Sequence, residues 1–188
     1  AKLVPKYEKR GAHRKRRERS ALPGMMIHQD GSTHEWVVGQ KWDLIVTMDD
    51  ATSEHTSMFF CAQEGTASSF HGLGQTIARY GLFASLYSDR GSHYFTTPEA
   101  GGKVDKVNLT EVGRALSQLG IDHIAAYSPE ARGRSERAFQ TQQGRLPQEL
   151  ARAGITDMSS ANQYLDQVYR VAHNREFAIA SALEGTAY

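Results

Sequence analysis

The stretch Leu82-Phe83-Ala84-Ser85-Leu86-Tyr87-Ser88-Asp89-Arg90-Gly91-Ser92 reads as a β-strand, Leu82–Ser88, that delivers an aspartate to its end and then turns at a glycine. A carboxylate placed there is oriented by the sheet yet remains reachable by a substrate. Just upstream, Phe70, Leu73, Ile77 and Tyr80 recur at helical spacing, and Gly81 stops that helix. Before the helix stand three short strands. They are Met25–Asp30, with a turn at Gly31-Ser32; Leu44–Met48, closed by Asp49-Asp50-Ala51-Thr52-Ser53; and Thr56–Ala62. Short connections predict that these three form an antiparallel meander. Downstream, 96–107 reads as a loop, Thr110 caps a helix running to about Leu119, and Ile121–Tyr127 is a fifth strand. A helix over about 131–153 follows, and then one capped by Ser159 or Ser160. The order βββαβαβα predicts an α/β (α+β) architecture, a mixed sheet flanked by helices.

Composition narrows the function classes. One cysteine, Cys61, excludes an internal disulfide and a cysteine-built zinc site. No apolar run is long enough to span a bilayer, and no apolar signal core follows the N-terminal charges, so a soluble, cytoplasmic protein without a membrane partner is expected. The net charge is only +1, but it is unevenly spread. Nine of the 22 Lys and Arg residues and two of the 21 acids lie within residues 1–20, so the rest of the chain is acidic. A basic arm on an acidic body suits a polyanionic partner, most simply nucleic acid; Arg14, Lys15, Arg16 and Arg17 are its densest run. The chain starts at Ala1 and stops after Tyr188, which suggests a piece of something longer.

Phosphodiester chemistry needs an activated oxygen nucleophile and neutralisation of charge on attacking and leaving oxygens. Two Mg²⁺ ions supply both, held by carboxylates that converge from different elements. Asp30 closes the first strand, Asp89 the fourth, and Glu136 lies on the long helix at the margin of the Phe139, Leu146 and Leu150 stripe. Gln140 and Gln143 share nearly the same helix face. Taken singly, each acid also has a plain structural reading, as a turn cap or a solvated side chain. Asp49 and Asp50 rival Asp30, although a turn explains them well, and Asp50 could act behind the site. Glu130 rivals Glu136, although an acid in a first helical turn is favoured by the helix dipole. His28, His34 and His93 lie near the aspartates without metal-ligand spacing.

Four segments in order resemble the retroviral-integrase core superfamily, and more closely the bacterial insertion-sequence transposases of the ISNCY kind. They are Gln29-Asp30-Gly31-Ser32 with His34 and Trp36; Leu44 through Ser53; Ser88-Asp89-Arg90-Gly91-Ser92; and Tyr127-Ser128-Pro129 through Gly133-Arg134-Ser135-Glu136-Arg137. Arg145-Leu146-Pro147 and Ala172-His173-Asn174 with Phe177 also resemble such transposases. The resemblance implies an RNase H-like sheet of three antiparallel strands followed by two parallel ones, over residues 25–155. A basic arm (1–24) would precede it, and a helical extension (156–188) would lead on to a further domain. It implies that Asp30, Asp89 and Glu136 bind two Mg²⁺ ions, with Mn²⁺ as a substitute. The activity implied is DNA cleavage at a transposon end and strand transfer to a target, by a homo-oligomer in the bacterial cytoplasm, nucleoid-associated when bound to DNA. Arg132, Arg134 and Arg137, with Gln140 and Gln143, would contact the DNA. Arg90 departs from the family, standing where integrases commonly have Asn. A non-catalytic DNA-binding remnant and a hydrolytic RNase H-like nuclease are the alternatives.

Overall fold

A computed structural model describes residues 18–99, 102–127 and 133–188, with side chains in the last stretch from Arg137 onward. Five strands form one sheet in the order β3-β2-β1-β4-β5. β1 (Ile27–Val37), β2 (Gln40–Asp49) and β3 (His55–Cys61) are antiparallel neighbours, whereas β4 (Ser85–Ser88) and β5 (Asp122–Ala125) run parallel to β1. This is the mixed sheet expected from the sequence. The helices are α1 (Thr66–Tyr80), α2 (Glu111–Gln118), α3 (Gly133–Arg152), α4 (Met158–Tyr164) and α5 (Arg170–Phe177), the last two joined by a π-helical turn at Leu165–Tyr169.

Side chains alternate across each strand, so the sheet has two covered faces. On one, Trp36, Trp42, Leu44, Val46, Met58 and Phe60 pack against Phe139, Leu146 and Leu150 of α3, and against Ala161, Leu165 and Tyr169 of the C-terminal helices. On the other, Ile27 and Leu86 pack against Leu73 of α1, Val112 and Leu116 of α2, and Tyr94. Residues beyond 156 thus share the core of the sheet.

Three local expectations change. β1 does not turn at Gly31-Ser32; it pairs through both, Gly31 opposite Ile45 and Ser32 opposite Leu44, and reverses only near Gly39, whose φ of 77° suits a tight hairpin. The buried face of α1 is Ser69, Gly72, Leu73 and Thr76, while Phe70 is exposed. Small and hydroxyl residues lie inward because α1 closes over polar groups of the sheet: Gln29 Nε2 donates to the Ser69 carbonyl, and Thr56 and Thr76 share a hydrogen bond of 2.9 Å. The cap of α4 is Asp157, whose Oδ1 accepts the Ser160 N–H at 2.9 Å, rather than a serine. Thr110 caps α2 as expected, accepting the Gly113 N–H.

β3 is an edge strand, and the C-terminal helices seal it. Asn162 Oδ1 accepts the Phe60 N–H at 2.6 Å and its Nδ2 donates to the Phe60 carbonyl at 3.0 Å. Asn174 treats His55 in the same way, at 2.8 and 3.0 Å. Two side-chain amides therefore stand in for a sixth strand.

Burial keeps three histidines neutral. Desolvation, helped by the charges of His173 and Arg170, pulls His55 well below the usual imidazole range. Desolvation alone brings His123 to about 4, and desolvation with Arg145 brings His173 to about 4. His55 and His173 stack at 4.2 Å. In the unfolded chain all three take up protons below pH ~6.5, whereas in the fold His123 and His173 resist until near pH 4 and burial holds back His55 as well. Stability should therefore be intact above pH 6.5 and decline by about 2–5 kcal/mol between pH 7 and 5. Urea denaturation at the two pH values reads this directly; an unchanged midpoint would show that the imidazoles do titrate in the fold.

Candidate active site

Asp30 lies on the α3 face of β1, opposite Val46 of β2, and is buried. β4 joins the other side of β1 in parallel register, Ile27 with Leu86 and His28 with Tyr87. Two residues further along each strand, that register sets Asp30 level with Asp89, the first residue past β4. Parallel neighbours about 4.8 Å apart project matched side chains to the same face. Each carboxylate is oriented by its own backbone: Asp30 Oδ1 accepts the Gly31 N–H at 3.0 Å, and Asp89 Oδ1 accepts the Gly91 N–H at 2.9 Å.

Another acid, not singled out in the sequence, lies against the backbone next to Asp30, on the α1 side of β1. The Glu64 N–H donates to Asp43 Oδ2 at 2.7 Å, and Asp43 Oδ1 accepts the Thr33 hydroxyl across the β1–β2 ladder. This fixes the β3–α1 connection so that the Glu64 carboxylate lies against the backbone beside Asp30. A Cβ at position 31 would come within 2.3 Å of Glu64 Oε2, which is why a glycine follows Asp30. Glu64 Oε1 also lies 3.7 Å from His93 Nε2. Burial lowers the His93 imidazole, and the Asp89 charge works against that. In sequence, Glu64 reads merely as an acid ahead of a helix, and only the approach of its connection to β1 reveals its place.

α3 crosses the same face. Gln143 Nε2 donates to Ser32 Oγ at 2.9 Å, and at the far end Gln40 Nε2 donates to the Thr156 carbonyl at 2.7 Å. Going back along α3 therefore goes back along β1. Position 136 lies two turns, about 10 Å, before Gln143, which brings that part of the helix level with the Asp30 region. The Glu136 and Arg134 side chains lie outside the described residues, as do Arg132 and the rival Glu130. Arg14, Lys15, Arg16 and Arg17 lie outside them too. Arg137 and Gln140 are on α3 and exposed. Among the described residues, no three His, Cys, Asp or Glu side chains cluster closely enough to hold a metal.

The rivals to Asp30 have other work. Asp49 accepts hydrogen bonds from Gly24 and Thr52. Asp50 pairs with the buried His28 at 2.8 Å and accepts from Ser20, while Arg19 donates to the Asp50 carbonyl. Both stand at the start of β1, tying the segment before it to the β2–β3 turn. Asp50 thus supports His28. Arg90 is half-buried: its guanidinium donates to the Gly102 carbonyl at 2.7 Å and lies over the Tyr127 ring, 5.0 Å from its centre.

No protein-family model matches the chain. Its sequence is 33% identical over 183 residues to a protein of Sinorhizobium fredii (strain NBRC 101917 / NGR234) described as transposase y4bF, covering 95% of this chain and 39% of that protein. It is 32% identical over 149 residues to the transposase for insertion sequence IS1202 of Streptococcus pneumoniae, covering 79% of this chain and 32% of the relative. The chain is a relative of transposases. It spans about a third to two-fifths of the length of these relatives. The transposase relative also shares its fold with retroviral integrases. The HTLV-2 integrase catalytic core domain in complex with magnesium superposes with a TM-score of 0.60 at 17% identity, covering 80% of this chain and 90% of that one. A chain of the simian T-cell lymphotropic virus intasome in complex with PP2A regulatory subunit B56 gamma gives 0.61 at 18% identity, covering 88% of this chain and 55% of that one. The sheet and its helices are thus an RNase H-like integrase catalytic-core fold, in a transposase-related chain. Among the described residues, no helix is long and apolar enough to cross a membrane.

Proposed function

We propose that this chain is the catalytic core of a DDE-type transposase, a polynucleotidyl transferase in which Asp30, Asp89 and Glu136 hold divalent metal. The observation that carries the reading is the level placement of Asp30 and Asp89 on one face of adjacent parallel strands, beneath the helix that bears Glu136. The donor set fits the metal: carboxylate oxygens are hard ligands suited to Mg²⁺, with Mn²⁺ as a substitute. Two such ions, when bound, activate the attacking oxygen and neutralise charge on the leaving one.

The residues of the chain divide the remaining work. Backbone N–H groups of Gly31 and Gly91 orient the two aspartates. Arg137 and Gln140, exposed on α3, with Arg132 and Arg134 before them, would hold DNA phosphates beside the carboxylates. Gln143 contributes by fixing α3 to β1 through Ser32. The 1–17 region, rich in Lys and Arg, adds affinity that does not depend on sequence. The substrates are then a transposon end and a target duplex. A DNA 3′-hydroxyl attacks a target phosphodiester; one P–O bond forms as another breaks, and the displaced oxygen leaves as a new 3′-hydroxyl. Joining two ends to one target calls for at least two copies of the core.

The test uses a branched DNA that imitates the joined product. Exchange of one phosphodiester for another is reversible, so resolution of the branch reports the same chemistry. Resolution is expected with Mg²⁺ or Mn²⁺, its loss with EDTA, and recovery on re-adding metal. Hydrolytic nicking without exchange would favour a nuclease, and DNA binding with neither reaction would favour a non-catalytic protein.

A further inference from the structure

β4 ends at Ser88, so the β1–β4 register brings Asp89 level with Asp30 but no strand pairing of its own holds it there. Its position depends on the turn that follows. The Tyr94 and Phe95 N–H groups both donate to the Gly91 carbonyl at 2.9 Å, and Thr110 Oγ1 donates to the Tyr94 carbonyl at 2.8 Å. The Tyr94 side chain then crosses beneath the sheet, fully buried, and its hydroxyl donates to Gln29 Oε1 at 2.8 Å. Gln29 is the residue before Asp30. Its amide is held at the other end as well, Nε2 donating to Thr47 Oγ1 at 3.0 Å and to the Ser69 carbonyl at 3.3 Å. Gly72 of α1 makes room for it, since a Cβ there would lie 2.5 Å from Gln29 Nε2. A buried phenol without a partner is costly, and phenylalanine would fill the same space without that liability. The hydroxyl therefore has a use beyond packing. It joins the turn carrying Asp89 to the strand carrying Asp30, at a point held by β1, β2 and α1 together.

We propose that Tyr94 is a positioning residue: through its bond to Gln29 it sets the separation of Asp30 and Asp89, and so the affinity of the pair for a divalent cation. The inference rests on the proposed function, which supplies the metal-binding role of the two aspartates.

Mn²⁺ binding to the purified chain, followed by electron paramagnetic resonance without DNA, tests it. Tyr94→Phe should weaken Mn²⁺ binding about 10–100-fold, the usual effect of removing a group that orients a metal ligand. Tyr94→Phe combined with Gln29→Leu removes the unpaired Oε1 but also the bonds to Thr47 and to the Ser69 carbonyl, so the melting temperature should stay below wild type. Mn²⁺ affinity should stay weak in that double variant, because apolar contact does not hold the turn at one distance. Recovery of affinity in that double variant would overturn the proposal by showing a structural role alone, and so would an unchanged affinity in Tyr94→Phe. Should the wild-type chain lack any Mn²⁺ binding that Asp89→Asn abolishes, the proposed function fails along with it, and that outcome is visible before any Tyr94 variant is made.

Discussion

Asp89→Asn and Asp30→Asn are each expected to lower metal-dependent strand exchange by at least ~10²–10³-fold, the scale on which losing one preorganised charge-stabilising group acts. Folding should survive both changes. Each aspartate accepts a backbone N–H through Oδ1, from Gly91 and from Gly31 respectively, and an asparagine carbonyl accepts the same bond. The substitution thus removes a charge and an anionic ligand while keeping the turn. Glu136→Gln should do the same from α3, where a helix tolerates glutamine as well as glutamate. Rates measured at saturating Mn²⁺, beside circular dichroism of each variant, separate lost chemistry from lost structure. Full activity in any one of the three would remove that residue from the proposed site. If only Glu136→Gln is active, Glu130 and Glu64 become the acids to replace next.

Loss of Asn162 and Asn174 together should be the most damaging change to the fold outside its apolar core. Each amide satisfies both backbone groups of one residue on the open edge of β3. The spacing fits: twelve helical residues span about 18 Å, and the five steps from His55 to Phe60 span about 17 Å. Phase is harder to match, since twelve residues of plain α-helix would leave the two asparagines about 120° apart. The π-helical turn Leu165–Tyr169 lies between them and winds less per residue, which returns both to the side facing the strand. Stranding an inaccessible backbone donor or acceptor costs about 1–3 kcal/mol. Asn162→Ala and Asn174→Ala should each lose about that much, and the pair should be nearly additive given their separation. An uncovered edge also invites strand pairing between molecules, so light scattering should rise with protein concentration in the double variant. A double variant within ~0.5 kcal/mol of wild type in urea would show that water serves the edge equally well.

Local signals in the sequence determined the order of elements, the sheet that follows from it, and two of the carboxylates now placed level. Apolar strands, the Thr110 cap and the glycines after α1 and α2 act over a few residues, so their outcome is readable without knowing their partners. The integrase-core fold was legible through Gln29-Asp30-Gly31-Ser32 and Ser88-Asp89-Arg90-Gly91-Ser92. What tertiary structure alone decided depends on groups far apart in the chain. Gly31 continues a strand because Glu64 arrives beside it, not because a turn needs it. Phe70 lies outward because Gln29 and the Ser69 carbonyl meet beneath α1. Asp50 belongs to His28, Tyr94 to Gln29, and two asparagines to an edge more than a hundred residues away. A buried hydrogen bond is worth most where water cannot compete. Which groups are buried together is fixed only when sheet and helices close on one another.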